Sequence, residues 1–129
     1  MGGATWMRIG AVLGALAVGL GAFGAHVLHE RSGFKADVYE TAVKYHMYHA
    51  LALLAVGLLG ALVRPSPALA LAGWMFLVGT LLFSGSLYAL AIGGPRWLAW
   101  VTPIGGLAFL VGWIALALAA GGMGRPQAP

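Results

Sequence analysis

Four long apolar runs, at about residues 6–28, 38–63, 67–92 and 97–121, occupy this chain almost from end to end. Each reaches or exceeds the roughly 20 residues that a helix needs to cross about 30 Å of hydrocarbon. Inside a bilayer every backbone N–H and C=O has to be satisfied within the protein, and helices do this segment by segment. The links Arg64-Pro65-Ser66-Pro67 and Gly93-Gly94-Pro95-Arg96 are short, so consecutive helices should be antiparallel neighbours. The expected fold is all-α: one integral membrane domain over 1–129, a four-helix transmembrane bundle running up and down, with both termini on the same side.

Composition narrows the class further. Of 129 residues, 61% are hydrophobic and 8% charged, whereas a soluble domain carries about 25% charged residues. The net charge of +4 does not indicate nucleic acid, because Arg8, Arg64, Arg96 and Arg125 stand alone at the ends of apolar runs. Such residues snorkel towards headgroups. The absence of cysteine excludes disulfides, thiolate metal sites and a thiol redox pair. Arg8, the apolar stretch from Ile9 and Ala22-Phe23-Gly24 before Ala25 imitate a secretory signal, but the same segment carries a stripe of small residues suited to packing and reads as a retained first span. The expected location is a membrane, crossed several times, and in a bacterium the inner membrane. Basic residues divide almost evenly, with Arg8, Arg64 and Arg125 facing Arg31, Lys35, Lys44 and Arg96, so the positive-inside rule favours neither orientation.

Helices 1 and 4 are two-faced by size. At about 100° per residue, Ile9, Leu13, Leu16, Leu20, Phe23 and Val27 form a bulky ridge that should face lipid. Gly10, Gly14, Ala17, Gly21 and Gly24 form a second stripe, which should face the bundle. Gly105, Ala108, Gly112, Ala115 and Ala119 repeat the device in helix 4. Small residues let helix backbones approach closely, and in lipid such packing is the main force between helices. Ahead of the second stripe, Thr102-Pro103 is either an N-cap with proline at the first helical position or the kink of a longer helix. In the first case Trp97 and Trp100 belong to a short interfacial segment.

Helix 2 differs from the rest. Asp37 and Glu40 have capping-box spacing, and Glu40 and Lys44 form an i,i+4 pair in the favourable order. At 1.5 Å per residue, 38–63 is about 39 Å long, so its first turns should stand among headgroups. His46 and His49 come next, flanked by Tyr45 and Tyr48. His26 and His29 end helix 1 on the same side of the membrane, and Ser86 and Tyr88 lie near the end of helix 3. The polar side chains of the spans therefore gather in one half of the bilayer.

That gathering admits several readings. His26, His46 and His49 could hold a metal or haem, since imidazole suits zinc, copper and iron, although no acid or cysteine completes a set; no cofactor is specifically implied. They could relay protons or line a path for a small solute, as intramembrane ionisable groups often do. With Tyr45, Tyr88 and Ser86 they could bind a lipid headgroup, a quinone or a partner subunit. The plainer alternative is that these groups bond to one another and to the backbone. Catalysis has little support, because Ser84-Gly85-Ser86 lies in an apolar helix and Glu30, Asp37 and Glu40 cluster around the first loop. The expectation is a non-enzymatic accessory or structural subunit, or a membrane-ligand-binding protein; the alternative is a carrier of protons, metal or small solutes. Expected partners are the bilayer and either another membrane protein or a second copy of the chain.

Four segments carry a family resemblance: Gly21-Ala22-Phe23-Gly24-Ala25-His26, Tyr45-His46-Met47-Tyr48-His49-Ala50-Leu51-Ala52-Leu53-Leu54, Phe83-Ser84-Gly85-Ser86-Leu87-Tyr88 and Thr102-Pro103-Ile104-Gly105-Gly106. In this order they resemble the small membrane proteins grouped as domain of unknown function 423 (transmembrane protein 256-like). The resemblance implies a four-span bundle and a basic, cytoplasmic tail, reduced here to Arg125. It implies no activity and no catalytic residues.

Overall fold

A computed structural model describes residues 1–123 of the chain; Arg125 lies outside the described residues. The first span is α1 (Gly3–His26), followed by a short 3-10 turn at Leu28–Glu30. The second is α2 (Ala36–Leu62). The third consists of α3 (Pro67–Gly79), a π turn at Thr80–Ser84 and α4 (Gly85–Ala91). The fourth begins as a 3-10 turn at Arg96–Trp100 and continues as α5 (Val101–Gly121). All four are long and apolar enough to cross a membrane, and no strand occurs among the described residues.

The spans run up and down, each packed against the next: α1 on α2, α2 on the third span, and the third span on α5. Glycine sets how closely they approach. A Cβ on Gly10 would lie 2.8 Å from the Ala50 carbonyl oxygen and 2.9 Å from the Leu54 nitrogen, both backbone atoms of α2. Gly24 lies against the ring of Tyr39, Gly112 against Phe76, and Gly105 against the backbone of Phe83. Gly14 and Gly21 sit on the same face but less tightly; Ala50 Cβ would be 4.0 Å from a Cβ at Gly14, and Val43 Cγ1 3.4 Å from one at Gly21.

The bulky ridge of helix 1 does not all face lipid. Leu16, Phe23 and Val27 are exposed, whereas Ile9 and Leu13 pack on the main core and Leu20 on a smaller cluster around Tyr39. Turning Gly10, Ala17 and Gly24 towards α2 brings residues 9, 13 and 20 onto the flank of the contact. The main core contains Trp6, which is 2% exposed. Its indole lies over Gly73 and meets Trp74 edge-on at 5.4 Å. Leu53, Val56 and Phe76 are fully buried beside it.

The helix ends also refine the sequence reading. Asp37 and Glu40 do not form a capping box, because α2 begins at Ala36 with Lys35 as its N-cap and no side-chain cap bond. Asp37 is thus already inside the first turn, where a carboxylate still favours the helix dipole. The Lys35 N–H instead donates to the Ala91 carbonyl at 3.0 Å, tying the start of α2 to the end of α4. Ser66 caps α3 by accepting from the Leu69 N–H at 3.2 Å, with Pro67 opening the helix. The Thr102-Pro103 alternatives resolve towards a short segment followed by a helix start, two residues earlier than an N-cap at Thr102 would give. Trp100 is the N-cap of α5 and Pro103 its third residue. A first-turn N–H has no intrahelical partner, so proline there removes no bond. Trp97 and Trp100, 63% and 81% exposed, occupy the 3-10 turn.

These contacts separate the glycines experimentally. Gly10→Leu is expected to cost about 1–3 kcal/mol or to prevent folding, since the obstacle is backbone. Gly14→Leu should be milder. Gly19→Ala, with nothing within 4 Å of the new Cβ, should stabilise by up to about 1 kcal/mol. Unfolding in detergent measures all three, and equal losses for Gly10→Leu and Gly14→Leu would contradict this packing.

Candidate functional site

His49 is the middle residue of the 27-residue α2, so it lies deeper than a headgroup-level position. Its Nδ1 is 2.7 Å from the Tyr45 carbonyl, one turn earlier. A carbonyl only accepts, so the ring proton resides on Nδ1 and Nε2 is left as an acceptor. Trp113 of α5 fills that role, its indole N–H donating to Nε2 at 3.1 Å. The imidazole also stacks on Phe109, with centroids 3.5 Å apart and planes 4° from parallel. This arrangement requires a neutral histidine: a second ring proton would set two donors against each other.

His46 faces a different partner. Three residues along a helix turn a side chain by about 60°, enough to direct His46 towards α1 and α4 and His49 towards α5. His46 Nδ1 is 2.8 Å from the Tyr88 hydroxyl, and its buried Nε2 has no hydrogen-bond partner among the described residues. Tyr88 meets Tyr39 edge-on at 5.2 Å, and the Tyr39 hydroxyl donates to the Leu20 carbonyl at 2.5 Å. The network thus stitches α1, α2 and α4 together.

The remaining candidates are placed separately. The Ser86 hydroxyl reaches the Phe83 carbonyl at 3.0 Å and the Thr102 hydroxyl at 2.5 Å, linking α4 to α5. Ser84 donates to the Ala42 carbonyl at 2.8 Å. His26, the last residue of α1, is exposed. Among the described residues no three imidazole or carboxylate groups converge as metal ligands would. The expected single cluster is therefore a pair, His46 with Tyr88, and another, His49 with Trp113, with His26 apart from both.

Tyr45 and Tyr48 lead from the His49 pair to the surface. The Tyr45 ring lies 4.7 Å from Phe83 and stacks on His49 at 6.2 Å. Beside it a groove of about 810 Å³ runs between α2 and α5, with Tyr45, Tyr48, Phe83, Phe109 and Trp113 in its walls and Pro103 and Gly106 also lining it. It exists because α2 and α5 meet through aromatic side chains rather than by close backbone approach. Its rim residues Tyr48, Leu107 and Leu110 are 53%, 62% and 60% exposed, so it opens sideways to the hydrocarbon. A second hollow of about 540 Å³, between the end of α1 and the start of α2, carries His29, Glu40 and Lys44.

Trp113 and Phe109 are the residues that sequence reasoning missed. The available signal was the indole N–H itself: in the middle of a span it must find an acceptor, and imidazole is one of the few on hand. A double-mutant cycle of His49→Leu and Trp113→Phe is expected to give a coupling of about 0.6–1.7 kcal/mol, the range of hydrogen bonds between membrane helices. Additive effects would show that the bond contributes nothing.

Comparison with known proteins agrees with this architecture. The pattern of a family described as "Protein of unknown function (DUF423)" matches residues 20–106. The chain is 45% identical over 113 residues to the UPF0382 membrane protein YwdK of Bacillus subtilis, covering 87% of this chain and 92% of that protein. A UPF0382 membrane protein of Haemophilus influenzae is 43% identical over 113 residues, covering 87% and 90% respectively. The UPF0382 inner membrane protein YgdD of Escherichia coli is 43% identical over 112 residues, covering 85% and 84%. No solved structure matches. With four membrane-capable helices and these relatives, the chain is a small multi-pass membrane protein of unknown activity and belongs to the DUF423 family.

Proposed function

We propose that this protein is a non-enzymatic binding component of the membrane, holding a lipid-soluble molecule in the lateral groove between α2 and α5. The groove itself carries the reading: about 810 Å³, within the range of small-molecule sites, lined by aromatic rings and open to the bilayer. The imidazole, indole and serine groups nearby are committed to structure. Both His49 nitrogens, the Trp113 N–H and the Ser84 and Ser86 hydroxyls have partners, so none of these groups is free to act as a nucleophile or base. Glu30 lies in the 3-10 turn after α1, and Asp37 and Glu40 in the first turns of α2, far along the helix from His49. A carrier is less well supported, because His46 and His49 face different helices and Leu53, Val56 and Phe76 fill the centre.

The pairwise antiparallel packing supports both termini on one side of the membrane. In a bacterium that membrane would be the inner one. An accessory role in a larger assembly fits the same picture, with the bound molecule as the shared element.

Gly106 offers a direct test. It lines the groove, and a Cβ there would touch only the Phe83 ring, at 3.9 Å. Gly106→Leu should therefore fill the groove without disturbing the helices. Mass spectrometry of solvent extracts from protein purified in native-membrane discs is expected to show a co-purifying apolar molecule with the parent and its loss with Gly106→Leu, at an unchanged melting temperature. Equal recovery from both would refute the reading. Elemental analysis of the same sample is expected to show no stoichiometric metal, and its absorption spectrum no haem.

A further inference from the structure

The chemistry of the groove lining narrows what it can hold. Among the described residues no charged side chain lines it, so a phosphate or a quaternary amine would enter without a counter-charge from them, at a high cost in this medium. Its walls are aromatic, with Tyr45, Phe83 and Phe109 packed on one another: Tyr45 and Phe83 at 4.7 Å, Phe83 and Phe109 at 5.4 Å, and Tyr45 and Phe109 at 6.3 Å and nearly parallel. Such surfaces favour a flat ring, which can stack or meet them edge-on.

The hydrogen-bonding balance is one-sided. His49 and Trp113 satisfy each other and the Tyr45 carbonyl. The polar side-chain atoms that remain in the lining are the phenol hydroxyls of Tyr45 and Tyr48, which make no hydrogen bond among the described residues. They lie three residues apart on α2, with ring centroids 5.8 Å apart. Each has a proton to donate and no protein acceptor among the described residues. The complement is a neutral, planar molecule bearing carbonyl oxygens on the ring, with an apolar tail that can pass over the exposed Leu107 and Leu110.

We propose that the groove binds the ring of a membrane quinone, with the Tyr45 and Tyr48 hydroxyls donating to its carbonyl oxygens. The proposal rests on the groove being a ligand site and adds the chemical class. It concerns binding alone and involves no electron transfer.

The test compares two probes with the same tail in lipid nanodiscs: a decyl-benzoquinone, and decylbenzene, which keeps ring and chain but has no carbonyl. Binding is read from the indole N–H NMR resonance of Trp113, assigned by its loss in Trp113→Phe. The quinone is expected to bind about tenfold more tightly than decylbenzene. The double variant Tyr45→Phe/Tyr48→Phe, which keeps both rings, should remove that advantage and leave decylbenzene binding unchanged. Equal binding of the two probes to the parent would overturn the quinone assignment while leaving the groove a ligand site. Binding of neither would overturn both. An advantage that survives the double variant would show that the phenols do not hold the carbonyls, and the proposal fails. So would efficient disulfide cross-linking of a Leu110→Cys variant into dimers that no longer respond to quinone, because the groove would then be a contact between copies of the chain.

Discussion

A hydrogen-bond donor in the middle of a bilayer has only protein to turn to, and this bundle is arranged around that shortage. The buried polar side chains His46, His49, Thr80, Ser84 and Ser86 all belong to the two inner spans. The fourth span completes two of them, Trp113 bonding to His49 and Thr102 to Ser86, and Tyr88 of the third span bonds to His46. Ser84 crosses to a carbonyl of α2, and Thr80 bonds back to the Phe76 carbonyl at 2.7 Å. A carbonyl can accept a second bond without losing its helical one, so the helices remain intact while the hydroxyls are satisfied.

Two kinds of contact divide the work between them. Where α1 meets α2 and where α5 meets the third span, glycine removes the side chain and backbone atoms approach directly. Where α2 faces α5, rings keep the backbones apart and leave the groove. The first kind fixes position through many small dispersion gains. The second fixes it through a few directional groups and leaves space beside them. The groove between α2 and α5 therefore opens where aromatic residues set the spacing, whereas the hollow between α1 and α2 is lined by Gly21 and Gly24.

Much of the fold was legible because hydrocarbon thickness imposes helix length directly. The four spans can be drawn from residue counts, and the inward stripe of α1 from the spacing of Gly10, Ala17 and Gly24. The site was less legible. His46, His49, Tyr45, Tyr88 and Ser86 stand out as polar residues in apolar surroundings, but their grouping depends on which way each turns. A 60° difference between His46 and His49 sends them to separate partners, and α1 ends with His26 outside. Trp113 and Trp6 were hidden by being counted as apolar. One acts through its N–H, and the other is the large side chain that occupies the space Gly73 leaves. The expected capping box at Asp37 failed for a similar reason: residue spacing does not show that the chain has already turned helical at Ala36.

The π turn at Thr80–Ser84 has a consequence for how one span serves two neighbours. A π turn holds about one residue more than an α turn, so α4 is rotated by about 100° relative to its position in an uninterrupted helix. Before the turn, Gly73 is matched to Trp6 and Phe76 to Gly112. After it, Tyr88 is directed at His46 on α2 and Ser86 at Thr102 on the fourth span. The extra residue acts as a phase offset within a continuous rod. It lets a packing face chosen for close approach in one half of the membrane give way to a hydrogen-bonding face in the other, without a break in the helix.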